Sequence, residues 1–288
     1  MRLVSFRPSA GGEVRVGVLV GDEVADLSAT GLPSDMAAFL AAGDEGMEAA
    51  RRATAGGSPR LSLSDVVLMA PVPRPPKFLA IGLNYRAHAA ETGRPLPEFQ
   101  MWFNKQRTCV VGPGEPIVVP SVSDEVDYEG ELAFVIGRRC RHVPASDAPS
   151  VIAGYTVVDD VSVRDWQRRT PTMTMGKSFD THGPMGPHLV TADEVGDPHR
   201  LSLRTWVSGE LRQEASTDDL VFNCWQMVEH LSTAFTLEPG DVISTGTPAG
   251  VGMAADPPRY LRPGDTVRVE IEGVGVLENP VVAETRAS

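Results

Sequence analysis

Residues 126–137 read Val-Asp-Tyr-Glu-Gly-Glu-Leu-Ala-Phe-Val-Ile-Gly, an apolar run that begins with acidic residues. Residues 132–136 are all apolar, which is typical of a strand buried in a core. Glu129 and Glu131 are two positions apart, and because side chains alternate along a strand, both carboxylates face the same side. Two anions this close repel each other unless a positive charge lies between them, and a divalent cation is the simplest such charge. The alternative is a solvated strand face, which the apolar continuation disfavours.

A second apolar strand, over residues 152–158, is followed by Asp159 and Asp160. A carboxylate at the end of this strand could supply a third oxygen ligand to the same ion. Oxygen ligands in a chain with only six histidines favour a hard cation, namely magnesium, manganese or calcium, over zinc.

The sequence on both sides of these strands is also mostly of β type. Further strands are predicted over residues 78–82, 101–111, 117–119, 201–207, 242–245 and 267–272. Two helices interrupt them. Ser162 and Asp165 have the spacing of a capping box for a helix ending near Arg169, and residues 220–235 carry apolar side chains at helical spacing. Strands without long intervening helices predict an α+β fold that is mostly β, with a mixed, largely antiparallel core.

The first seventy residues are predicted to form a small α/β domain. Residues 14–27 alternate around a turn at Gly21, which is typical of a β-hairpin. Ser34 is predicted to cap a short helix ending near residue 43, and residues 47–55 can form another helix.

A stiff segment follows this N-terminal region. Residues 71–76 contain four prolines, which neither a helix nor a strand crosses easily. The predicted division is therefore a small N-terminal domain, residues 1–70, and a catalytic domain, residues 71–288.

The charge balance excludes several classes of protein. Lys and Arg number 26 against 38 Asp and Glu, which gives a net charge of −12. A nucleic-acid-binding protein needs a dense basic face, and an anionic membrane repels a chain of this charge. No apolar run of about 18 residues is present to span a membrane. The N-terminus lacks the apolar core of a signal peptide, so the cytoplasm is the expected compartment. The three cysteines form no CxxC pair and are expected to be small buried residues.

Common catalytic signatures do not fit. Gly176-Lys177-Ser178 resembles the end of a P-loop, but Pro171 replaces the glycine that the motif requires. The glycines of residues 246–252 do not match the dinucleotide-binding pattern, and neither HExxH nor GxSxG is present.

Three further segments carry candidate catalytic groups. If residues 85–91 are helical, His88 and Glu91 lie on one face, and the carboxylate can orient the imidazole as a general base. An inactive exposed pair is an equal alternative. Lys177 could stabilise an enolate or a carboxylate beside a cation, or it could be an ordinary surface lysine. Residues 245–248 could hold an anion through hydroxyl and backbone N–H groups, although a plain turn has the same residues.

Taken together, these segments resemble the fumarylacetoacetate hydrolase family over about residues 78–282. The resemblance is carried by Ile81-Gly82-Leu83-Asn84-Tyr85 with His88 and Glu91, Asp127-Tyr128-Glu129-Gly130-Glu131-Leu132, residues 154–167, Gly176-Lys177-Ser178-Phe179-Asp180-Thr181 and residues 237–252. Each segment is weak alone, and their order along the chain makes the resemblance specific.

The resemblance implies a mixed β-roll catalytic domain, usually a homodimer, with a metal site in its mouth. It implies that the ligands of a magnesium-like ion are Glu129, Glu131 and Asp160. It also implies that His88 with Glu91 activates water, on a segment that is often a mobile lid, and that Lys177 supports a developing enolate. The substrate contacts carried over from the matching motifs are Tyr85, Lys105, Arg164, Gln167 and Thr247.

One segment departs from the family pattern. Many relatives have a small Pro-Ser-like run after the lysine of a Phe-x-Lys strand, whereas this chain has Lys105-Gln106-Arg107. Arg107 is hypothesised to meet the distal carboxylate of a dicarboxylic substrate such as a fumarylpyruvate; equally, it could point into a dimer interface.

Members of this family act on 2-oxo acids, and especially on 2,4-dioxo acids. A 2-oxo carboxylate can chelate a hard cation, which polarises its carbonyl group. The expected function is therefore magnesium- or manganese-dependent hydrolysis of a C–C bond in a 2,4-dioxo acid, as in aromatic catabolism. The alternatives are a 2-oxo acid decarboxylase, isomerase or hydratase on the same site, and a non-catalytic small-acid-binding protein. An oriented His88–Glu91 pair disfavours the last of these, since binding alone needs no base.

Overall fold

A computed structural model describes residues 1–285, which form nineteen strands and six α-helices. The strands are β1 (Arg2–Pro8), β2 (Arg15–Val20), β3 (Glu23–Asp26), β4 (Arg60–Ser62), β5 (Val66–Leu68), β6 (Phe78–Gly82), β7 (Met101–Asn104), β8 (Val110–Val111), β9 (Ile117–Val119), β10 (Val126–Asp127), β11 (Gly130–Ile136), β12 (Ile152–Asp159), β13 (Ser162–Val163), β14 (Gly183–Thr191), β15 (Ser202–Val207), β16 (Glu210–Ser216), β17 (Val242–Ser244), β18 (Thr266–Ile271) and β19 (Gly275–Ala283). The helices are α1 (Met36–Ala41), α2 (Asp44–Arg52), α3 (Arg86–Glu91), α4 (Arg164–Gln167), α5 (Ala192–Val195) and α6 (Cys224–Ala234).

The largest sheet has twelve strands. Its hydrogen-bonded strands follow the order β4-β3-β2-β1-β14-β12-β11-β17-β6-β7. In addition, β5 pairs with β1 and β8 pairs with β14. Most pairs are antiparallel, whereas β17 pairs with β6 in parallel. This mixed sheet confirms the predicted α+β, mostly β fold class.

A second sheet has the order β16-β15-β18-β19-β9, and β10 pairs with β13 separately. Strand β11 is buried on both faces between the surrounding layers. Leu132, Phe134 and Ile136 belong to the core that includes the second sheet and α6, whereas Ala133 and Val135 belong to the core that includes the N-terminal strands. Burial on both faces explains why the sequence of this strand is continuously apolar instead of alternating.

The predicted hairpin and several predicted strands are observed. β2 and β3 form the hairpin, and β6 and β9 have the predicted bounds. The predicted strand over residues 101–111 is interrupted by a short 3-10 turn at Arg107–Cys109. Strands β1, β14, β16 and β19 were not predicted, because their sequences mix polar and apolar residues without a clear period.

Strand pairing crosses the predicted domain boundary. Strand β1 lies beside β14, with Arg2 opposite Val190 and Leu3 opposite Leu189. The N-terminal strands and the catalytic strands therefore share one sheet, and the division at residue 70 stays a prediction. Residues 286–288 of the predicted catalytic domain lie outside the described residues.

Two predicted helix starts are wrong. Asp35, not Ser34, caps α1, because its side chain accepts the Ala38 N–H at 3.0 Å. The predicted capping box at Ser162 is absent, since Ser162 lies in β13 and its hydroxyl donates to the Asp160 carbonyl at 2.9 Å. For α1 a neighbouring polar residue caps the helix instead, whereas α4 begins after Val163 and has no side-chain cap.

The predicted long C-terminal helix begins later than expected. Asn223 and Gln226 form a reciprocal capping box, and α6 therefore starts at Cys224, not at residue 220. Among the described residues, no helix is long and apolar enough to cross a membrane. Cys109 and Cys224 are buried as predicted, whereas Cys140 is only half-buried. Burial raises the pKa of the Cys109 and Cys224 thiols to about 11 and about 12.

Candidate metal centre and active-site cavity

Three carboxylates converge where β11 and β12 pair. Glu129 precedes β11, Glu131 lies within it, and Asp160 follows β12. The Asp160 N–H donates to the Glu129 carbonyl at 2.9 Å, and the Glu129 N–H donates to Asp159 Oδ1 at 2.8 Å. One ligand oxygen from each of the three candidate residues lies within 4.8 Å of the other two, and all three are buried. The antiparallel register thus brings distant parts of the sequence to one point.

Two cations contact Glu129. Lys177 Nζ donates to Glu129 Oε2 at 2.7 Å and to Asp160 Oδ2 at 2.8 Å, and Arg164 Nη1 lies 2.6 Å from Glu129 Oε1. Burial alone would raise the pKa of Glu129, but Lys177 and Arg164 outweigh it and lower this pKa to about 2. Glu129 is therefore ionised near neutral pH.

Glu131 has a different environment. Its Oε2 accepts the Ser244 hydroxyl at 2.5 Å and the Gly246 N–H at 2.9 Å. Within residues 1–285, no Lys, Arg or His lies at ion-pair distance from this carboxylate. Burial, followed by the charges of Asp160 and Glu129, raises the pKa of Glu131 well above its usual value.

The donor set suits a divalent cation. Placed among Glu129, Glu131 and Asp160, such an ion would remove the repulsion at Glu131, and oxygen ligands are those that magnesium, manganese and calcium prefer. The three residues expected from the sequence to hold a metal therefore have a geometry that fits one.

Lys105 contacts this centre but does not line the cavity. Its Nζ donates to Asp160 Oδ1 at 2.6 Å and to the Lys177 backbone carbonyl, and its side chain is fully buried. The predicted substrate contact through Lys105 therefore has no geometric support. The contacts instead make Lys105 a cation that holds Asp160 and the backbone of Lys177 in place.

The predicted general-base pair is formed. Helix α3 places His88 Nδ1 3.2 Å from Glu91 Oε2. Glu91 Oε1 accepts the Gly250 N–H at 2.8 Å, which fixes the carboxylate. When Nδ1–H donates to Glu91, the other ring nitrogen of a neutral His88, Nε2, is a proton acceptor.

A cavity of about 760 Å³ contains most of the predicted site residues in its wall. These residues are His88, Glu91, Glu129, Arg164, Gln167, Lys177 and Thr247. The wall also includes the apolar side chains of Ile81, Leu83, Met101, Phe103 and Met173. The volume is within the usual range for small-molecule sites.

The predicted substrate contacts in the wall have protein partners. Arg164 Nη1 donates to Gln167 Oε1 at 3.0 Å. The Thr247 hydroxyl donates to the Gly130 carbonyl at 3.1 Å and accepts a hydrogen bond from Gln213 Nε2 at 2.7 Å. Their orientation is therefore fixed by the protein before any substrate binds.

Three predicted substrate contacts lie outside this cavity wall, namely Lys105, Tyr85 and Arg107. Tyr85 is fully buried, its hydroxyl has no hydrogen-bond partner among the described residues, and burial raises its pKa well above the usual value. Arg107 is exposed on the 3-10 turn after β7. The hypothesis that Arg107 meets a distal carboxylate has no geometric support.

Asp127 and Ser244 are site residues that the sequence analysis missed. The buried Asp127 carboxylate accepts hydrogen bonds from Arg164 Nε at 2.8 Å, from the Gly252 N–H at 2.8 Å and from the Met253 N–H at 3.0 Å. It thereby connects Arg164 to the loop that carries Met253 into the cavity wall. The only signal in the sequence is that Asp127 is one of several acidic residues between positions 124 and 131, and Ser244 gives none.

Comparison with known proteins agrees with this arrangement. The family model described as "Fumarylacetoacetate (FAA) hydrolase C-terminal" matches residues 77–282, which include all three carboxylates and every predicted catalytic residue. The chain belongs to the fumarylacetoacetate hydrolase family. Membership confirms the resemblance drawn from the motifs and, with the mixed sheets, the expected fold.

Relatives within the fumarylacetoacetate hydrolase family span the whole chain. Mitochondrial oxaloacetate tautomerase of Xenopus laevis is 42% identical, and the match covers 98% of this chain and 90% of the relative. Maleylpyruvate hydrolase from Sphingobium sp. SYK-6, solved with manganese(II) and pyruvate, is 37% identical with a TM-score of 0.83; the match covers 99% of this chain and 100% of that one. A 5-carboxymethyl-2-hydroxymuconate delta-isomerase from Mycobacterium smegmatis is also 37% identical, with a TM-score of 0.80 and the same coverage.

These comparisons show an enzyme of the fumarylacetoacetate hydrolase family whose buried acidic triad suggests a divalent metal site. They contradict the expected cytoplasmic location, since the Xenopus relative is mitochondrial. That expectation was wrong because it rested on the missing apolar core of a secretory signal, which does not distinguish the cytoplasm from the mitochondrion, whose targeting segments are amphipathic.

Proposed function

We propose that the protein is a divalent-metal-dependent enzyme that moves a proton next to the carbonyl group of a 2-oxo acid, with the keto–enol tautomerisation of oxaloacetate as the leading reaction. The observation that carries this proposal is that an oriented His88, Lys177 and Glu129 line one cavity, while Glu131 and Asp160 each have an oxygen within 4.8 Å of a Glu129 oxygen. The name of the Xenopus relative supports the choice of reaction.

The ligands of the metal would be Glu129, Glu131 and Asp160. The cation, magnesium or manganese with calcium as an alternative, would act as a Lewis acid on a 2-oxo carboxylate. Lys105 and Arg164 hold the ligand carboxylates in place, because each forms a buried ion pair with one of them.

Lys177 is placed to stabilise negative charge on the substrate. Its ammonium group has three N–H donors, of which two bind Glu129 and Asp160. The third is available for a substrate oxygen on which charge develops, and the side chain lines the cavity.

His88 is placed to transfer the proton. Its Nε2 would take a proton from the carbon between the carbonyl and the second carboxylate of oxaloacetate, while Glu91 stabilises the imidazolium. Delivery of that proton to the carbonyl oxygen completes the enol. Only a C–H and an O–H bond change, so no further reactant is needed.

Hydrolysis of a C–C bond in a 2,4-dioxo acid is the second candidate. The cavity of about 760 Å³ has room for a longer substrate and a water molecule, and a structural neighbour is a maleylpyruvate hydrolase. His88 would then take its proton from water attacking the distal carbonyl, which yields pyruvate and a carboxylic acid. Decarboxylation and hydration are further alternatives that use the same residues. The expected assembly is a homodimer.

Proton NMR in deuterated buffer separates the candidates. With magnesium, which is diamagnetic, as the cation, we expect the wild type to exchange the oxaloacetate methylene protons faster than the spontaneous rate, and His88→Asn to exchange them only at that rate. Formation of pyruvate and an acid from an acylpyruvate would favour the second candidate. A magnesium-loaded protein that accelerates neither reaction would refute both.

A further inference from the structure

Five cationic side chains line the cavity, and four of them have anionic partners. Lys177 and Arg164 bind the buried carboxylates described above, Arg168 lies 2.5 Å from Glu125, and Arg169 lies 3.3 Å from Asp165. Arg94 is the exception. In residues 1–285, its guanidinium group takes part in no hydrogen bond or ion pair.

The backbone of Arg94 is fixed relative to His88. Gly93 adopts φ +65° at the end of α3, its N–H donates to the Ala90 carbonyl at 3.1 Å, and the Arg94 N–H donates to the Ala89 carbonyl at 2.9 Å. These paired bonds form a Schellman helix end, in which glycine takes the left-handed position at lowest cost. The arginine therefore belongs to the same rigid unit as the proposed general base.

The Arg94 side chain is exposed and lines the cavity, so its guanidinium group is free to bind an anion there. The net charge of −12 repels a doubly charged substrate at long range, so a dianion needs a local cation. In the proposed function, the 2-oxo carboxylate end of the substrate binds at the acidic triad. A second carboxylate must then meet the remaining wall of the cavity, where the planar guanidinium group of Arg94 can bind it through two parallel hydrogen bonds.

We infer that Arg94 is a specificity residue that selects 2-oxo acids bearing a second carboxylate. The inference rests on the proposed function for the orientation of the substrate. It assigns to Arg94 the role that the sequence had suggested for Arg107, which lies outside the cavity wall.

A purely structural role would have a different signature. A cation near the C-terminus of α3 also interacts favourably with the helix dipole. Loss of that interaction would affect the stability of the helix and the binding of every ligand, whereas a specificity role affects only ligands with a distal charge.

The test is calorimetric titration of the manganese-loaded protein with 2-oxoglutarate and with 2-oxopentanoate. The two ligands have the same chain length and differ in the distal group, a carboxylate or a methyl. We expect Arg94→Gln to weaken 2-oxoglutarate binding about tenfold, in line with a hydrogen bond to a charged group, and to leave 2-oxopentanoate binding within about twofold. Arg94→Lys should retain part of the preference.

Arg200→Gln is the matched control, since it removes one arginine whose side chain is 84% exposed and does not line the cavity. The inference would be overturned if Arg94→Gln weakened the binding of both ligands equally or of neither. It would also be overturned if Arg94→Gln and Arg200→Gln had the same effect on binding. The proposed function is tested separately by proton exchange in the wild type. An inactive protein that still shows the Arg94-dependent preference would refute that function and support the inference.

Discussion

Glu129 and Glu131 are two residues apart in the sequence, but their replacement by glutamine should change the metal-free protein in different ways. Glu129 contacts two cations, Lys177 and Arg164. Glu131 contacts none at ion-pair distance within the described residues and accepts hydrogen bonds from Ser244 and Gly246. The two variants have the same change of charge and volume, so each is the control of the other.

The magnitude for Glu129→Gln follows from its pKa. A fall from 4.5 to about 2 corresponds to about 3 kcal/mol of stabilisation of the ionised form, at about 1.4 kcal/mol per pH unit. Because the folded-state pKa is depressed, this stabilisation is fully present above pH 4.5 and is lost as the pH falls toward 2. We therefore expect Glu129→Gln to lower the free energy of unfolding by about 3 kcal/mol at pH 7.

Glu131→Gln should not share this loss. A glutamine oxygen can still accept the hydrogen bonds from Ser244 and Gly246, and the substitution removes repulsion from Glu129 and Asp160. We expect the free energy of unfolding of the metal-free variant to be unchanged or higher. Both variants should lose the stabilisation that manganese gives the wild type, because each lacks one candidate ligand.

Urea unfolding at pH 7, in chelator-treated protein and again with excess manganese, measures all of these effects. Equal destabilisation of the two metal-free variants would refute the assigned charge environment. Retention of the full manganese effect in either variant would refute the assignment of that residue as a ligand.

Three further outcomes are expected. His88→Asn should abolish the catalysed proton exchange but retain the rise in melting temperature that manganese causes, because His88 acts as a base and is not a metal ligand. Loss of both would contradict this separation of roles. Lys105→Met should lower the free energy of unfolding of the metal-free protein by about 3 kcal/mol, because it breaks a buried ion pair with Asp160, and manganese should recover part of this loss in the same urea assay. Burial lowers the pKa of His182 from 6.5 to about 4, so the unfolded state binds the proton first as the pH falls. The free energy of unfolding of the wild type should therefore fall by about 2 kcal/mol more between pH 7 and pH 5 than that of His182→Gln. Identical decreases in the two proteins would contradict this.

Short-range patterns in the sequence predicted much of the fold and the site. The mostly β class, the N-terminal hairpin and strands β6 and β9 followed from apolar runs and turn residues. The proximity of Glu129 and Glu131 followed from their two-residue spacing, although the predicted strand is split and Glu129 lies just before β11. The His88–Glu91 contact followed from helical spacing. Strands β1 and β14 could not be found this way, because their sequences have no clear period, and their pairing with each other joins residues far apart in the chain.

The sequence by itself determined which residues carry the chemistry: an acidic strand, a histidine with its carboxylate and a lysine in a loop, each defined by neighbours a few positions away. Only the tertiary structure decided which groups these residues meet. Lys105 pairs with Asp160, Asp127 pairs with Arg164, and Arg94 but not Arg107 lies in the cavity wall. Within the described part of the chain, Glu131 has no Lys, Arg or His at ion-pair distance. The physical reason is that alternation and helical spacing are local, whereas charge pairing in a buried site depends on strands whose register is set by the packing of the whole core.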